Sequence, residues 1–166
     1  MKHYETKRLM LVPFQPDDIK FLVELLGDDA VCRYLPGNIG YPESKINNVL
    51  YRFLHTEEDD YYQVYKVVIK DSAKAIGYCG IQIVREYGKY EIFYAYMPSF
   101  WGKGYATEAS KKMREIAKTS GLKELIALAD IENIASQKVL EYTGYKNQGK
   151  IHLWGLDLFF YEMKLQ

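Results

Sequence analysis

The chain has 166 residues, 48% of them apolar and 27% charged, with 22 Lys plus Arg against 22 Asp plus Glu and no formal net charge. That length is one domain's worth of chain, and the composition excludes a disordered tail, a collagen-like repeat and a disulfide scaffold. The balanced charge carries no basic stripe, so direct nucleic-acid binding is not expected.

We therefore read residues 1–166 as a single domain. Cys32 and Cys79 lie far apart and match no metal-ligand spacing, which reads as buried, reduced thiols. His3, His55 and His152 have no ligand-like spacing either, so no metal is expected. No run approaches the roughly 18 consecutive apolar residues of a membrane helix, and Met1 to Glu5 has no signal-peptide core. The expectation is a cytoplasmic protein with no membrane partner.

In chain order, Arg8 to Phe14 reads as a short strand ending near Pro13. Gln15-Pro16-Asp17-Asp18 is a helix-start signal, after which Ile19, Leu22, Val23 and Leu26 recur at helical spacing up to Gly27. Leu35 to Gly40 has loop chemistry. A second helix begins near Pro42, with Ile46, Val49, Leu50 and Phe53 on one face, and runs into the acidic patch Glu57 to Asp60. Tyr61–Lys70, Ala75–Val84 and Tyr90–Met97 read as three strands joined by turns short enough to make antiparallel hairpins.

The period then changes. Ala106, Ala109, Met113, Ile116 and Ala117 mark a helix ending near Gly121. Glu124–Asp130 is a strand, Asn133–Thr143 a helix stopped by Gly144, and strands follow around Tyr145–Lys150 and Leu156–Leu165. The predicted order is β-α-α-β-β-β-α-β-α-β-β, an α/β (α+β) arrangement of a mixed sheet with helices packed against it.

The segment that carries chemistry is Met97-Pro98-Ser99-Phe100-Trp101-Gly102-Lys103-Gly104-Tyr105-Ala106-Thr107, which joins an apolar strand to an amphipathic helix. Its glycines allow a tight turn and leave the peptide groups uncovered. The first N–H groups of a helix lack internal partners and sit at the positive end of its dipole, which makes a ready anion site. A pyrophosphate fits across the amides of Gly102, Lys103, Gly104, Tyr105, Ala106 and Thr107, with Lys103 adding charge. The segment is neither a Walker sequence nor a dinucleotide fingerprint.

Residues 90–145 resemble the acyl-CoA-binding core of the GNAT family of N-acetyltransferases, whose signature is Gln/Arg-x-x-Gly-x-Gly/Ala between a strand and a helix. Here it reads Trp101-Gly102-Lys103-Gly104-Tyr105-Ala106, departing at the first position. The string from Phe100 to Ala109 looks like the RimJ/RimL-like branch, which acetylates ribosomal protein N-termini. Glu5 to Leu11 resembles that branch's first strand, Gly77-Tyr78-Cys79-Gly80 its Gly-x-x-Gly strand, and Asn133-Ile134-Ala135-Ser136 with Gly144-Tyr145 its Asn-x-x-Ser helix. The resemblance spans nearly the whole chain. It implies a mostly antiparallel central sheet of about seven strands with four helices, and acetyl-CoA as donor.

By the same resemblance, the pantetheine arm of CoA pairs with the backbone of Tyr90–Met97, with Tyr96 and Met97 as its candidates and an N–H near Tyr96 serving the oxyanion. Transfer also needs a group that takes a proton from the attacking amine and one that stabilises the departing thiolate. Glu91, on the strand beside the thioester, is the candidate base; the competing reading is a strand-end Glu facing solvent. Many family members place a Tyr where this chain has Leu140, which donates nothing. Ser136 is the candidate hydrogen-bond donor to the CoA sulfur, and Tyr142 a second donor at different helical spacing. Asn133 reads both as an anchor for the cofactor arm and as the cap of its helix.

The acceptor pocket is expected between Leu35–Gly40, the hairpin at His152–Gly155 and the strand ends, with Trp154 and Tyr94 as wall candidates and the acidic run Glu57 to Asp60 attracting a cationic amine. The partner is an amine acceptor, foremost a protein N-terminus. The competing readings are a small-molecule amine (an antibiotic, polyamine or amino-acid derivative) and a non-catalytic acyl-CoA-binding module. Family members often dimerise, which leaves a homodimer open.

Overall fold

The computed structural model describes residues 2–56 and 63–166. The strands are β1 (Tyr4–Glu5), β2 (Leu9–Val12), β3 (Gln63–Ile69), β4 (Lys74–Val84), β5 (Lys89–Tyr96), β6 (Glu124–Asp130), β7 (Lys146–Leu153) and β8 (Leu156–Lys164). The helices are α1 (Ile19–Leu26), α2 (Asp29–Cys32), α3 (Glu43–Leu54), α4 (Tyr105–Thr119) and α5 (Ile134–Tyr142). All eight strands form one sheet in the order β1-β2-β3-β4-β5-β6-β8-β7. Every pairing is antiparallel except β5 with β6.

The short turns behave as their chemistry dictates. Between β7 and β8, Trp154 and Gly155 both take positive φ, 54° and 74°, as a two-residue hairpin loop requires. Gly80 meets a different need: a Cβ there would lie 2.5 Å from the Gln63 carbonyl and 2.8 Å from the Phe93 ring, so β4 lies too close to its neighbours for any side chain.

Period-2 alternation divides the sheet into two apolar faces. On one, Leu11, Cys79, Ile92, Tyr96, Ala127 and Tyr161 pack with Ala109, Met113 and Ile116 of α4 and Leu140 of α5. On the other, Val64, Tyr78 and Ala95 pack with Leu22, Leu25 and Leu26 of α1, Cys32 of α2, and Ile46, Leu50 and Phe53 of α3. Each fully buried Leu, Ile or Met contributes about 1.5–3 kcal/mol relative to exposure.

Among the described residues there are eight strands and five helices, against the predicted seven and four. The additional strand, β1, is two residues pairing with Leu11 and Met10, too short to show a period. The additional helix, α2, is one turn nucleated by the Asp28 side chain, which accepts from the N–H groups of Ala30 and Val31. β7 also runs to Leu153 rather than Lys150. The patch Glu57 to Asp60, and the start of the second predicted strand at Tyr61, lie outside the described residues.

Candidate active site

Strand β5 is paired along its full length on one edge only. Its ladder with β4 is continuous from Lys89 to Tyr96. Its parallel pairing with β6 is confined to Glu91 against Ile126, so the two strands separate toward their C-terminal ends. At the closed end, Lys89 bridges Glu124 at 2.9 Å and Glu162 at 2.7 Å, tying β5 to β6 and β8. The Met97 N–H donates to the Ile76 carbonyl at 2.9 Å. By antiparallel alternation, the backbone groups of Tyr96 and Tyr94 then point away from β4, into the gap. Met97 is thus committed to β4 and lies just beyond β5, whereas Tyr94 and Tyr96 present the edge that an extended amide chain can join. The Tyr96 carbonyl meanwhile accepts from the Trp101 indole N–H at 2.7 Å.

The loop at the open end turns through Gly102 at φ +71° and Gly104 at φ +80°. Both values are in the left-handed region, which a side chain reaches only with strain. Gly104 is the N-cap of α4 and supplies no side-chain cap, so the first N–H groups of Tyr105, Ala106 and Thr107 have no capping partner. Lys103 is exposed beside them, with Nζ 5.4 Å from the Phe100 ring centre. These open amides, the absence of any atom within 4 Å of a Cβ at Gly102, and the local positive charge fit a diphosphate.

Arg8 braces this loop. Its guanidinium donates to the Lys103 carbonyl at 2.9 Å and to Glu108 at 2.7 Å, and lies 4.5 Å from the Tyr105 ring centre. Its backbone N–H and the Thr6 hydroxyl hold the same Glu108 carboxylate at 2.8 and 2.5 Å. Burial raises the Glu108 carboxyl, but these donors outweigh it and hold it below the usual range.

Glu91 is 4% exposed, at the last paired position before the gap. Gln82 Nε2 donates to it at 2.6 Å. Burial pushes the carboxyl up to about 7; the Gln82 hydrogen bond lowers it and the charge of Glu86 adds to the rise. It is therefore not a solvent-facing strand-end residue. Across the gap, α5 presents Ser136, whose Oγ lies 2.9 Å from the Tyr94 hydroxyl. Asn133 caps α5, its Oδ1 accepting the Ser136 N–H at 3.1 Å. Leu140 is in the core. Tyr142 is 74% exposed beneath Lys111 of α4, away from the gap. The Trp154 indole reaches the β4–β5 turn, donating to Glu86 at 2.9 Å.

A family model described as Acetyltransferase (GNAT) domain matches residues 8–146. The chain belongs to the GNAT acetyltransferase family. It is 29% identical over 150 residues to the uncharacterized N-acetyltransferase YnaD of Bacillus subtilis (strain 168), covering 89% of this chain and 84% of that one. Its fold is similar to that of RimL, a ribosomal L7/L12 α-N-protein acetyltransferase in complex with coenzyme A, with a TM-score of 0.83, 14% identity and 99% and 98% coverage. It is also similar to the spermidine N-acetyltransferase of Vibrio cholerae in complex with CoA and spermine, with a TM-score of 0.80, 15% identity and 96% and 97% coverage.

As a GNAT enzyme, the chain uses acetyl-CoA as acetyl donor. Among the described residues, no group of three or more His, Cys, Asp and Glu is arranged to hold a metal ion, and no helix is long and apolar enough to cross a membrane. The roles of Arg8 and Glu108 as braces of the glycine loop are not legible in the sequence. Their one trace in the sequence is an Arg at the start of an apolar strand and a Glu in the first turn of a glycine-led helix, 100 positions apart.

Proposed function

We propose that residues 1–166 form one catalytic domain that acetylates a protein N-terminal α-amine, in the manner of the RimJ/RimL branch, by direct attack of the amine in a ternary complex. The observation that carries the chemistry is Glu91: a carboxyl buried beside the gap that Tyr94 and Tyr96 edge, which burial pushes up to about 7. A base with that pKa accepts a proton from an amine at neutral pH. The acceptor class rests on the string Phe100 to Ala109, on the Asn133-x-x-Ser136 helix, and on likeness of fold to RimL.

Each residue then has a task. The amides from Gly102 to Thr107 with Lys103 hold the diphosphate, and Tyr96 lines the arm. Asn133 fixes the first turn of α5, so that Ser136 meets the sulfur. Glu91 takes the amine's proton as the C–N bond forms. Acetyl-CoA supplies the activated acyl group.

The test is thiol release from acetyl-CoA against Ser- and Ala-starting peptides, polyamines and free amino acids, with CoA binding measured in parallel. Turnover confined to the peptides is expected. Turnover with small amines alone assigns the enzyme to that acceptor class instead. Tight CoA binding without turnover on any of them supports a non-catalytic acyl-CoA module.

A further inference from the structure

Thr119 and Thr143 each donate to a carbonyl one turn back in their own segment, the ordinary arrangement for a hydroxyl on a helix. The Ser136 hydroxyl instead meets Tyr94 across the gap, 2.9 Å away and 42 positions apart in the chain. Both groups are held: Asn133 fixes the Ser136 N–H, and Tyr94 lies on a strand fully laddered to β4. The titratable groups around Tyr94 are Cys79 of β4, Tyr96 on its own strand, Tyr145 just past the end of α5 and Tyr161 of β8; burial pushes each of them up, so all are uncharged at neutral pH. Burial pushes the Tyr94 phenol up, so it remains a donor throughout the working range. A phenol is the stronger donor of the two hydroxyls. With Tyr94 donating to Ser136 Oγ, the Ser136 proton is free to point into the gap, and a chain of two hydroxyls polarises along its length. Leu140, buried in the core, offers no competing hydroxyl.

We propose that Tyr94 is a positioning residue of acetyl transfer: its hydroxyl orients Ser136 so that the Ser136 hydroxyl donates to the sulfur leaving the acetyl group. This rests on the reading above that Ser136 meets that sulfur. As the C–N bond forms, the C–S bond breaks and its electron pair stays on sulfur. The amine's proton goes to Glu91. The thiolate, stabilised by the Ser136 hydrogen bond, takes a proton from water, and Glu91 returns its proton to the solvent, so no further reactant is needed.

The experiment needs no acceptor. CoA is bound to the enzyme, and the pH dependence of its alkylation by iodoacetamide, read on CoA itself by mass, gives the pKa of the bound thiol. A hydrogen bond to the charged form lowers that value, by about one unit relative to free CoA. Tyr94→Phe and Ser136→Ala each raise it by about half a unit or more, and the double variant raises it no further than Ser136→Ala alone, because the two act as one unit. CoA affinity changes less than about threefold, since neither hydroxyl touches the diphosphate. With 3,5-difluorotyrosine at position 94, which keeps the shape and strengthens the donor, the bound thiol moves lower still; this holds the test open if Tyr94→Phe fails to fold. An unshifted thiol in the wild-type complex, or a value unmoved by Tyr94→Phe while Ser136→Ala moves it, overturns the proposal. A value unmoved by Ser136→Ala overturns the placement of Ser136 as well. The choice of acceptor leaves all of these outcomes unaffected.

Discussion

A carboxyl in the interior of a strand has to be neutral or matched, and Glu91 is matched by one amide, Gln82. One neutral hydrogen bond does not offset burial of a charge, so the carboxyl holds its proton up to about pH 7. Glu91→Gln keeps the Gln82 contact in reach and removes the base. The expected loss in kcat is about 10²–10⁴-fold, the usual contribution of a general base. The ascending limb of the pH–rate profile near pH 7 disappears with it, while CoA affinity, measured by calorimetry, is retained.

The same residue makes a prediction about stability. Its pKa is raised on folding, from about 4.5 to about 7. The folded state therefore binds more protons between those values, and stability falls as pH rises through that window. The full charging penalty is on the order of 3 kcal/mol. Thermal melts should show Glu91→Gln gaining on the wild type from pH 5 to pH 8, and parallel curves would contradict the burial argument.

At the scale of elements, a glycine loop is only as useful as the helix that it precedes is well placed. Here the placing is done from the other end of the chain. Arg8 on the approach to β2 ties the Lys103 carbonyl and Glu108 together, and Glu108 draws in Thr6. The ion pair is partly exposed and worth little as stability, but its geometry sets the angle of the loop. Arg8→Ala should raise KM for acetyl-CoA about tenfold, equivalent to about 1.4 kcal/mol, with kcat changed much less. Arg8→Lys should not restore it, because an ammonium cannot bridge two acceptors in a fixed plane and lie over Tyr105 at once. The check is initial-rate kinetics at saturating acceptor. The local patterns of this region were legible: a strand, a Gly-Lys-Gly turn and a helix with a 3.6 period. The brace was not, because a partner 100 positions away leaves no periodic mark.

At the scale of the whole molecule, the sheet is clamped at one end of the β5–β6 seam by Lys89 with Glu124 and Glu162, and parts at the other. A ligand that pairs with the free edge of β5 and caps α4 joins the two halves of the sheet, and binds only the folded chain. At CoA concentrations of 100 Kd the stabilisation is about 2.7 kcal/mol, or roughly 5–10 °C in melting temperature for a chain of this size. Differential scanning fluorimetry measures it, and a shift near zero would contradict the reading of the gap and loop as the CoA site.

The sequence by itself determined the strands and helices with a clear period, the glycine turn that leads into α4, and the family that its spacing resembles. These are properties of contiguous residues, set by neighbours three or four positions away. The tertiary structure decided the rest: that β5 and β6 share one paired position and then part, that Glu91 is buried, that Met97 turns its N–H to β4, and that Tyr94 meets Ser136. Desolvation and the closing of a hydrogen bond depend on which distant segments arrive at a point in space, and period and composition say nothing about that.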